Sequence, residues 1–305
     1  MELSVIIVNF NVRDFLRLCL SSVKLASENI DCEIFVVDNN SEDGSVGMVK
    51  SEFPDVKLII NTVNAGFSVA NNQAIKKSHG RFVLLLNPDT IVEKDTFSKC
   101  IDFMNIHSDA GAMGIRMING EGRFLPESKR AFPTPGTAFF KTSGLSFLFP
   151  KSPILNKYYL PHIDIFQTSL TEVISGAYIF IRREALEKSG LLDEDFFMYG
   201  EDIDLSYRLL QTKYNNYYFP EVSIVHFKGK STSRDRYKDI LYFYDSMRIY
   251  VSKHSAEEKY QSIRLLIIAA IYFREILALF NRFLRNKFKR KAEQSELLFQ
   301  HETDI

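Results

Sequence analysis

Three stretches of the chain are dominated by apolar residues: Leu3 to Val8 (LSVIIV), which is rich in β-branched side chains, Glu33 to Val37 (EIFVV) and Phe82 to Leu86 (FVLLL). Such runs read as strands buried on both faces, as in a parallel sheet covered by helices. Between the first two, Val12 to Ser27 places Phe15, Leu16, Cys19, Leu20 and Val23 at helical spacing. Val56 to Ile60 predicts a further short strand and Ser68 to Ser78 a further helix. Strands and helices alternating through right-handed crossovers build an α/β, doubly wound sheet. Farther on, Gly111 to Ile118 and Arg123 to Leu125 predict strands flanking the turn Asn119-Gly120-Glu121-Gly122. Pro126 to Pro161 carries six prolines and the aromatic cluster Phe139, Phe140, Phe147 and Phe149, and predicts a loop with short helices. Val173 to Arg182 predicts a strand, Arg183 to Ser189 a helix ending at Gly190, and Ile203 to Gln211 another helix. Tyr217 to Val225 then leads to His226.

The polar positions sit where the apolar runs stop. The first run ends in Asn9-Phe10-Asn11, the second in Asp38-Asn39-Asn40-Ser41-Glu42-Asp43-Gly44-Ser45. Asn64-Ala65-Gly66 opens the Ser68 helix, and Asn87-Pro88-Asp89 follows the last run. One such site is ordinarily a helix cap or a turn. Four together form a polar crevice at the carboxyl ends of the strands, where sheets of this kind bind ligands. No GxGxxG or Walker pattern follows the first strand, which argues against a nicotinamide dinucleotide or a P-loop phosphate cradle and also against a nucleotidyltransferase. The crevice is acidic, and carboxylates approach a diphosphate through a metal.

Charge adds an exclusion. Lys+Arg and Asp+Glu number 38 each, so the net charge is zero, and a dedicated nucleic-acid binder would be basic. Cys19, Cys32 and Cys100 are odd in number and far apart, which predicts reduced, packed thiols and a cytoplasmic setting. The segment Tyr199-Gly200-Glu201-Asp202-Ile203-Asp204 crowds three acids at a helix start. The helix dipole favours acids there, but mutual repulsion raises the proton affinity of at least one. Such a group suits general-base chemistry, and Asp204 can pair with Arg208 at i+4.

Taken in order, SVIIVNFN (4–11), VVDNNSEDGS (36–45), NAGFSVANN (64–72), LLLNPDTIV (84–92), SGAYIFIRREAL (175–186) and LLDEDFFMYGEDIDLSYRL (191–209), followed by His226 and Lys230-Ser231, resemble family 2 glycosyltransferases, and within them the bacterial rhamnosyltransferase-like members. The resemblance spans residues 3 to 236. It implies a GT-A fold: a Rossmann-like nucleotide half (about 1–110) and an acceptor half (about 111–239) in one mixed, mainly parallel sheet. It further implies a nucleoside-diphosphate sugar donor, a divalent cation (Mg2+ or Mn2+) and inversion at the anomeric carbon.

Position by position, the resemblance puts Asn9, Asn11, Asn64 and Gly66 along the nucleotide pocket, with Asp38 accepting from the N3–H of the base. Asn87-Pro88-Asp89 takes the place of the DxD motif, with Asp89 as the metal-binding aspartate and Asn87 where the first acid would stand. His226 becomes a second metal ligand. Asp202, the second acid of the ED motif, becomes the catalytic base, with Glu201 as the alternative. Lys230 and Arg234 are expected to approach the diphosphate, and Gly176 and Tyr199 the acceptor. The donor expected from the subgroup is dTDP-rhamnose, with a UDP-hexose as the alternative. The acceptor is a saccharide in cell-surface polysaccharide synthesis. Asn87 keeps open a second role, a catalytically silent sugar-nucleotide-binding or scaffolding subunit.

Residues 240–305 predict a helical extension. Ile263, Leu266, Ile267, Ala270, Phe273, Leu277, Phe280, Leu284 and Phe288 recur at helical spacing, and Arg282, Arg285, Lys287, Lys289, Arg290 and Lys291 add charge of one sign. A basic amphipathic helix reads as a peripheral element on an anionic membrane surface, here the cytoplasmic face of the inner membrane, or as a face that pairs two copies in a homodimer. A polyprenyl-diphosphate-linked acceptor fits the first reading. The uncharged run Leu265 to Phe273 is too short to span a bilayer.

Overall fold

The computed structural model describes residues 1–133, 157–229, 236–254 and 261–303. It divides into two compact units, Met1–Thr232 and Ser233–Ile305.

The first unit runs β1 (Leu3–Asn9), α1 (Arg13–Ala26), β2 (Cys32–Asp38), α2 (Ser45–Glu52), β3 (Lys57–Ile60), α3 (Phe67–Ile75), β4 (Phe82–Leu86), β5 (Thr90–Val92) and α4 (Thr96–Ile106). It continues with β6 (Ala110–Ile118), β7 (Ser169–Leu170), β8 (Tyr178–Arg182), α5 (Arg183–Ser189), α6 (Glu201–Leu210) and β9 (Asn215–His226). The strands form one sheet in the order β3-β2-β1-β4-β8-β6-β9-β5, with β7 on β9. From β3 to β4 the pairing is parallel throughout. Strand β8 then runs antiparallel to both β4 and β6, while β6 and β9 are again parallel. The sheet is therefore mixed and mainly parallel, as the resemblance implies, and β5 adds a further antiparallel pairing on β9. Because β8 is reversed, its beginning lies on the same rim as the ends of β1, β2 and β4.

Every residue of β1 is buried, and alternate residues serve opposite layers. Leu3, Val5 and Ile7 pack with Leu16, Cys19 and Leu20 of α1 and Phe97 and Met104 of α4. Ile6 and Val8 pack with Ala70 and Ala74 of α3, Leu186 of α5, and Leu205 and Leu209 of α6. Full burial of each such side chain stabilises the fold by about 1.5–3 kcal/mol. All three cysteines are free thiols, and Cys19 and Cys100 are buried.

Four expectations need correction. The strand expected from Val173 begins only at Tyr178, because Ser175 to Ala177 form a turn closed by Tyr178 N–H donating to the Ser175 carbonyl at 3.1 Å. Arg123 to Leu125 is no strand: only Phe124 bridges Ile118, since Gly122 (φ +78°) turns the chain sharply and Pro126 opens a 3-10 turn. Helix α3 stops at Ile75 rather than Ser78. The C-terminal helical region already begins at Arg236. Elements β5, α4 and β7 have no counterpart in the sequence reading. The aromatic cluster from Phe139 to Phe149 lies outside the described residues.

The second unit pairs α7 (Arg236–His254) with α8 (Gln261–Thr303). Polar groups join them: Arg248 to Glu275 at 2.5 Å, and Asn286 Nδ2 to the Tyr237 hydroxyl at 3.0 Å. Glu275 is buried, whereas Leu266, Phe273, Ile276, Phe280 and Phe283 are exposed. Helix α8 thus turns an apolar stripe outward. No helix among the described residues is long and apolar enough to cross a membrane.

Candidate active site

The ends of β1 and β2 are tied together by side chains. Asn9 is buried, and its Nδ2 donates to Asp38 Oδ2 at 2.8 Å and to Ser41 Oγ at 3.1 Å. Asp38 Oδ1 accepts from the Ser41 N–H at 2.8 Å. The Asp38 carboxylate is thus buried and engaged on both oxygens, so any contact with a base would use the remaining lone pairs. Asn11 takes a left-handed conformation (φ +56°), and its Oδ1 accepts from the Glu42 N–H at 2.8 Å. Asparagine tolerates this conformation better than most residues.

The start of α3 is joined to the segment ahead of α6. Asn64 Oδ1 accepts from the Gly66 N–H at 3.0 Å, and the Gly66 carbonyl accepts from Asn39 Nδ2 at 3.1 Å. Gly66 has φ +84°, and a Cβ there would lie 2.6 Å from the Phe197 carbonyl oxygen. Phe67 N–H donates to that same oxygen at 2.7 Å. Only glycine permits so close an approach with that backbone. Asn72 adds a second tie through Nδ2, donating to the Leu192 carbonyl at 2.8 Å and to Glu194 Oε1 at 2.9 Å.

A third set of contacts runs from β4 to the acidic segment. Asn87 N–H donates to the Ala177 carbonyl at 3.0 Å. One residue earlier, Gly176 N–H donates to Asp202 Oδ2 at 3.0 Å. A methyl at Gly176 would make ordinary contact with Asp202, so the turn contributes its N–H rather than the absence of a side chain. Tyr199 (φ +71°) and Gly200 (φ +83°) turn the chain into α6, which begins at Glu201.

The three acids of this segment differ. Asp204 pairs with Arg208 at 2.7 Å, as its i+4 spacing suggests. Asp202 accepts from Arg130 Nη2 and, through Oδ1, from the Ile203 N–H at 2.9 Å. Glu201 is buried, and its Oε2 has no hydrogen-bond partner. Burial, helped by the neighbouring Asp202 charge, pushes the Glu201 carboxyl up to about 8. Its surroundings therefore favour the neutral form of Glu201.

Where β5 pairs with β9, Thr90 is in register with His226. Asp89 is wholly buried, and its Oδ1 lies 3.4 Å from His226 Nε2. Neighbouring ligands of a small octahedral cation stand about 3 Å apart, given metal–ligand distances of about 2.1 Å. The pair therefore fits adjacent positions on one divalent ion. His226 Nδ1 is buried without a hydrogen-bond partner. No group of three or more His, Cys, Asp or Glu side chains among the described residues forms a complete cage. Nearby, Glu127 pairs with Lys228 at 2.6 Å.

The structure thus links Asn9 with Asp38, Asn64 with Gly66, Asn87 with the Gly176 turn and Asp202, and Asp89 with His226. Lys230 and Arg234 lie outside the described residues. Sequence reasoning missed Arg130. A Lys-Arg pair in a proline-rich stretch looks like a solvated loop, and no local pattern marks this arginine as buried. Phe197 was missed too, because it contributes a backbone carbonyl.

Comparison with known proteins places this geometry in a family. The model for glycosyl transferase family 2 matches residues 4–190, ending before the acidic segment. The N-acetylglucosaminyl-diphospho-decaprenol L-rhamnosyltransferase of Mycobacterium tuberculosis is 26% identical over 265 residues, covering 83% of this chain and 85% of its own. Rhamnosyltransferase WbbL of Escherichia coli K12 is 22% identical over 231 residues, covering 73% and 82%. Among solved structures, the mannosyltransferase PcManGT of Pyrobaculum calidifontis, in complex with GDP-Man and Mn2+, has a TM-score of 0.57 at 18% identity, covering 91% of this chain and 72% of its own. TarS 1–349 of S. aureus has a TM-score of 0.54 at 17% identity, covering 89% and 71%. These neighbours share the GT-A fold. The chain is a glycosyltransferase and belongs to glycosyl transferase family 2.

Proposed function

We propose that the chain transfers a sugar, with inversion and with the help of a divalent cation, from a nucleoside-diphosphate sugar to a lipid-linked saccharide in cell-surface polysaccharide synthesis. The observation that carries this reading is the continuous rim from Asp89 and Asn87 through the Gly176 turn to Asp202. One end suits a donor diphosphate and the other a catalytic base. Asp89 and His226 would hold the cation, whose charge offsets that of the departing diphosphate. Asp202 takes the proton of the acceptor hydroxyl as that oxygen bonds to the anomeric carbon. The bond from this carbon to the diphosphate oxygen breaks, and the nucleoside diphosphate leaves. Glu201, neutral beside it, does not compete for the proton. Asn9, Asn11, Asp38, Asn64 and Gly66 line the nucleotide side, and Gly176 and Tyr199 the acceptor side.

The rhamnosyltransferase relatives favour dTDP-rhamnose as donor, with a UDP-hexose second. The name of the mycobacterial relative favours an acceptor carried on a polyprenyl diphosphate. The outward apolar stripe of α8, with Arg282, Arg285 and Lys287 near its end, favours work at the anionic cytoplasmic face of the inner membrane. Sedimentation with anionic vesicles at low salt checks that surface, and a chain that stays in the supernatant removes it.

A panel of nucleotide sugars with Mn2+ or Mg2+, read by released nucleoside diphosphate, tests the reaction. The Asp202→Asn protein should bind donor normally and lose about 10²–10⁴-fold in turnover. Near-normal turnover in that variant would remove Asp202 from the base role. Donor binding without turnover in the wild-type chain across the panel would favour the silent-subunit role that Asn87 keeps open.

A further inference from the structure

Two neighbouring carboxyl groups stand at the start of α6, and Arg130 touches only one of them. Its side chain is 11% exposed. Nη2 donates to Asp202 Oδ2 and, at 3.1 Å, to the Ile174 carbonyl, while Nη1 donates to the Tyr158 hydroxyl at 3.3 Å. The backbone around it is pinned on both sides: Val173 N–H donates to the Arg130 carbonyl at 2.9 Å, and Ala131 N–H to the Tyr158 carbonyl at 2.8 Å.

Burying a guanidinium costs several kcal/mol per ion unless pairing and hydrogen bonds repay it. Here the repayment is incomplete, because Arg130 Nε is buried with no hydrogen-bond partner. Nor does the start of α6 need a cation to hold Asp202, which already accepts from two backbone N–H groups, those of Gly176 and Ile203. A mostly covered arginine whose Nε is buried and unsatisfied is therefore poorly explained by stability alone.

The chemistry of the pair explains it better. The charged or titratable groups facing Asp202 are Glu201 on its own helix and Arg130 on the segment after Ser128, with Tyr158 reaching it through Arg130. Two adjacent carboxyls, one of them desolvated, share protons as a unit. A cation beside one member settles which of them ionises. We propose that Arg130 is a positioning residue for transfer: it assigns the proton of the Glu201–Asp202 pair to Glu201 and fixes Asp202 as the bare, oriented carboxylate. This rests on the reading of Asp202 as the base.

The test compares the full-length wild-type chain with Arg130→Met, Arg130→Gln, Arg130→Lys and Asp202→Asn. Donor binding is followed by calorimetry and kcat/KM across pH by released nucleoside diphosphate. Arg130→Met should keep donor affinity and lose about 100-fold in kcat, the scale of a displaced catalytic group. The acid limb of its kcat/KM profile should move to higher pH by about one unit or more, the effect of a cation on an adjacent carboxylate. Arg130→Lys should restore the position of the limb and most of kcat. Arg130→Gln is a second neutral variant in case Arg130→Met does not fold. An unmoved acid limb in the neutral variants, or a lysine variant no better than methionine, overturns the proposal and leaves Arg130 a packing residue. If Asp202→Asn itself turns over normally, the base reading fails first. If Asp202→Asn is inactive and the limb stays put, only the proton assignment fails.

Discussion

Each end of the sheet buries a glutamate, and the two are treated in opposite ways. Glu33, in β2 near the amino ends of the parallel strands, accepts from the Ser4 hydroxyl at 2.7 Å, the His79 N–H at 2.6 Å and Lys57 Nζ at 2.7 Å. Burial alone would raise its proton affinity, but Lys57, His79 and Ser4 outweigh burial and hold it below its ordinary 4.5. Glu201, on the opposite rim, keeps one oxygen unpartnered and is pushed up to about 8. The carboxylate that joins strands is satisfied, whereas the one beside Asp202 is left with unmet demand.

The larger way to break this contrast is Glu33→Ala. It strips partners from a buried hydroxyl, a backbone N–H and a lysine, and should cost about 2–3 kcal/mol of stability. The thermal midpoint should fall by roughly 2–4 °C for each kcal/mol. Specific activity of the folded fraction should be unchanged. A melt matching wild type would mean that the Glu33 network is not structural.

The smaller effect has the opposite sign. Between about 4.5 and about 8 the folded chain holds a proton on Glu201 that the unfolded chain has lost. Native stability therefore declines as pH rises through this window. Glu201→Gln removes the titration, so it should flatten the decline and raise the midpoint at pH 8 by about 2–4 °C, equivalent to roughly 1 kcal/mol. Glu33 acts at the other end: its contribution is present above about 4.5 and is lost as pH falls through its lower folded value. Parallel wild-type and Glu201→Gln melts from pH 5 to 8 would show that Glu201 is ionised in the fold like Glu33.

The two glutamates also show how far sequence carries. The parallel half was legible because burial on both faces forces long apolar runs, as in β1 and β4. The crevice was legible because strand ends must turn, and Asn, Asp and Gly mark each turn. Glu33 was hidden inside an apolar run, where its charge reads as the edge of a strand. Beyond β6 the signal weakens. The turn before β8 serves Asp202 through a backbone N–H, and Val173 to Ala177 look as apolar as a strand. Arg130 meets Asp202, which lies far along the chain, and local periodicity carries no trace of such a partnership.

The reversed direction of β8 also bears on how this scaffold can be re-engineered. Between Ile118, where β6 ends, and Tyr178, where β8 begins, β7 touches the sheet on β9, and because β6 and β8 are antiparallel the end of one and the start of the other belong to one edge. The two ends of the segment 119–177 thus meet at a single rim, and the entropy of joining such ends grows only slowly with the length between them. A chimera that exchanges this cassette between relatives would leave the register of every parallel strand intact. It would also replace Arg130 beside a retained Asp202, so the kcat/KM profile of the chimera would report on that contact as well.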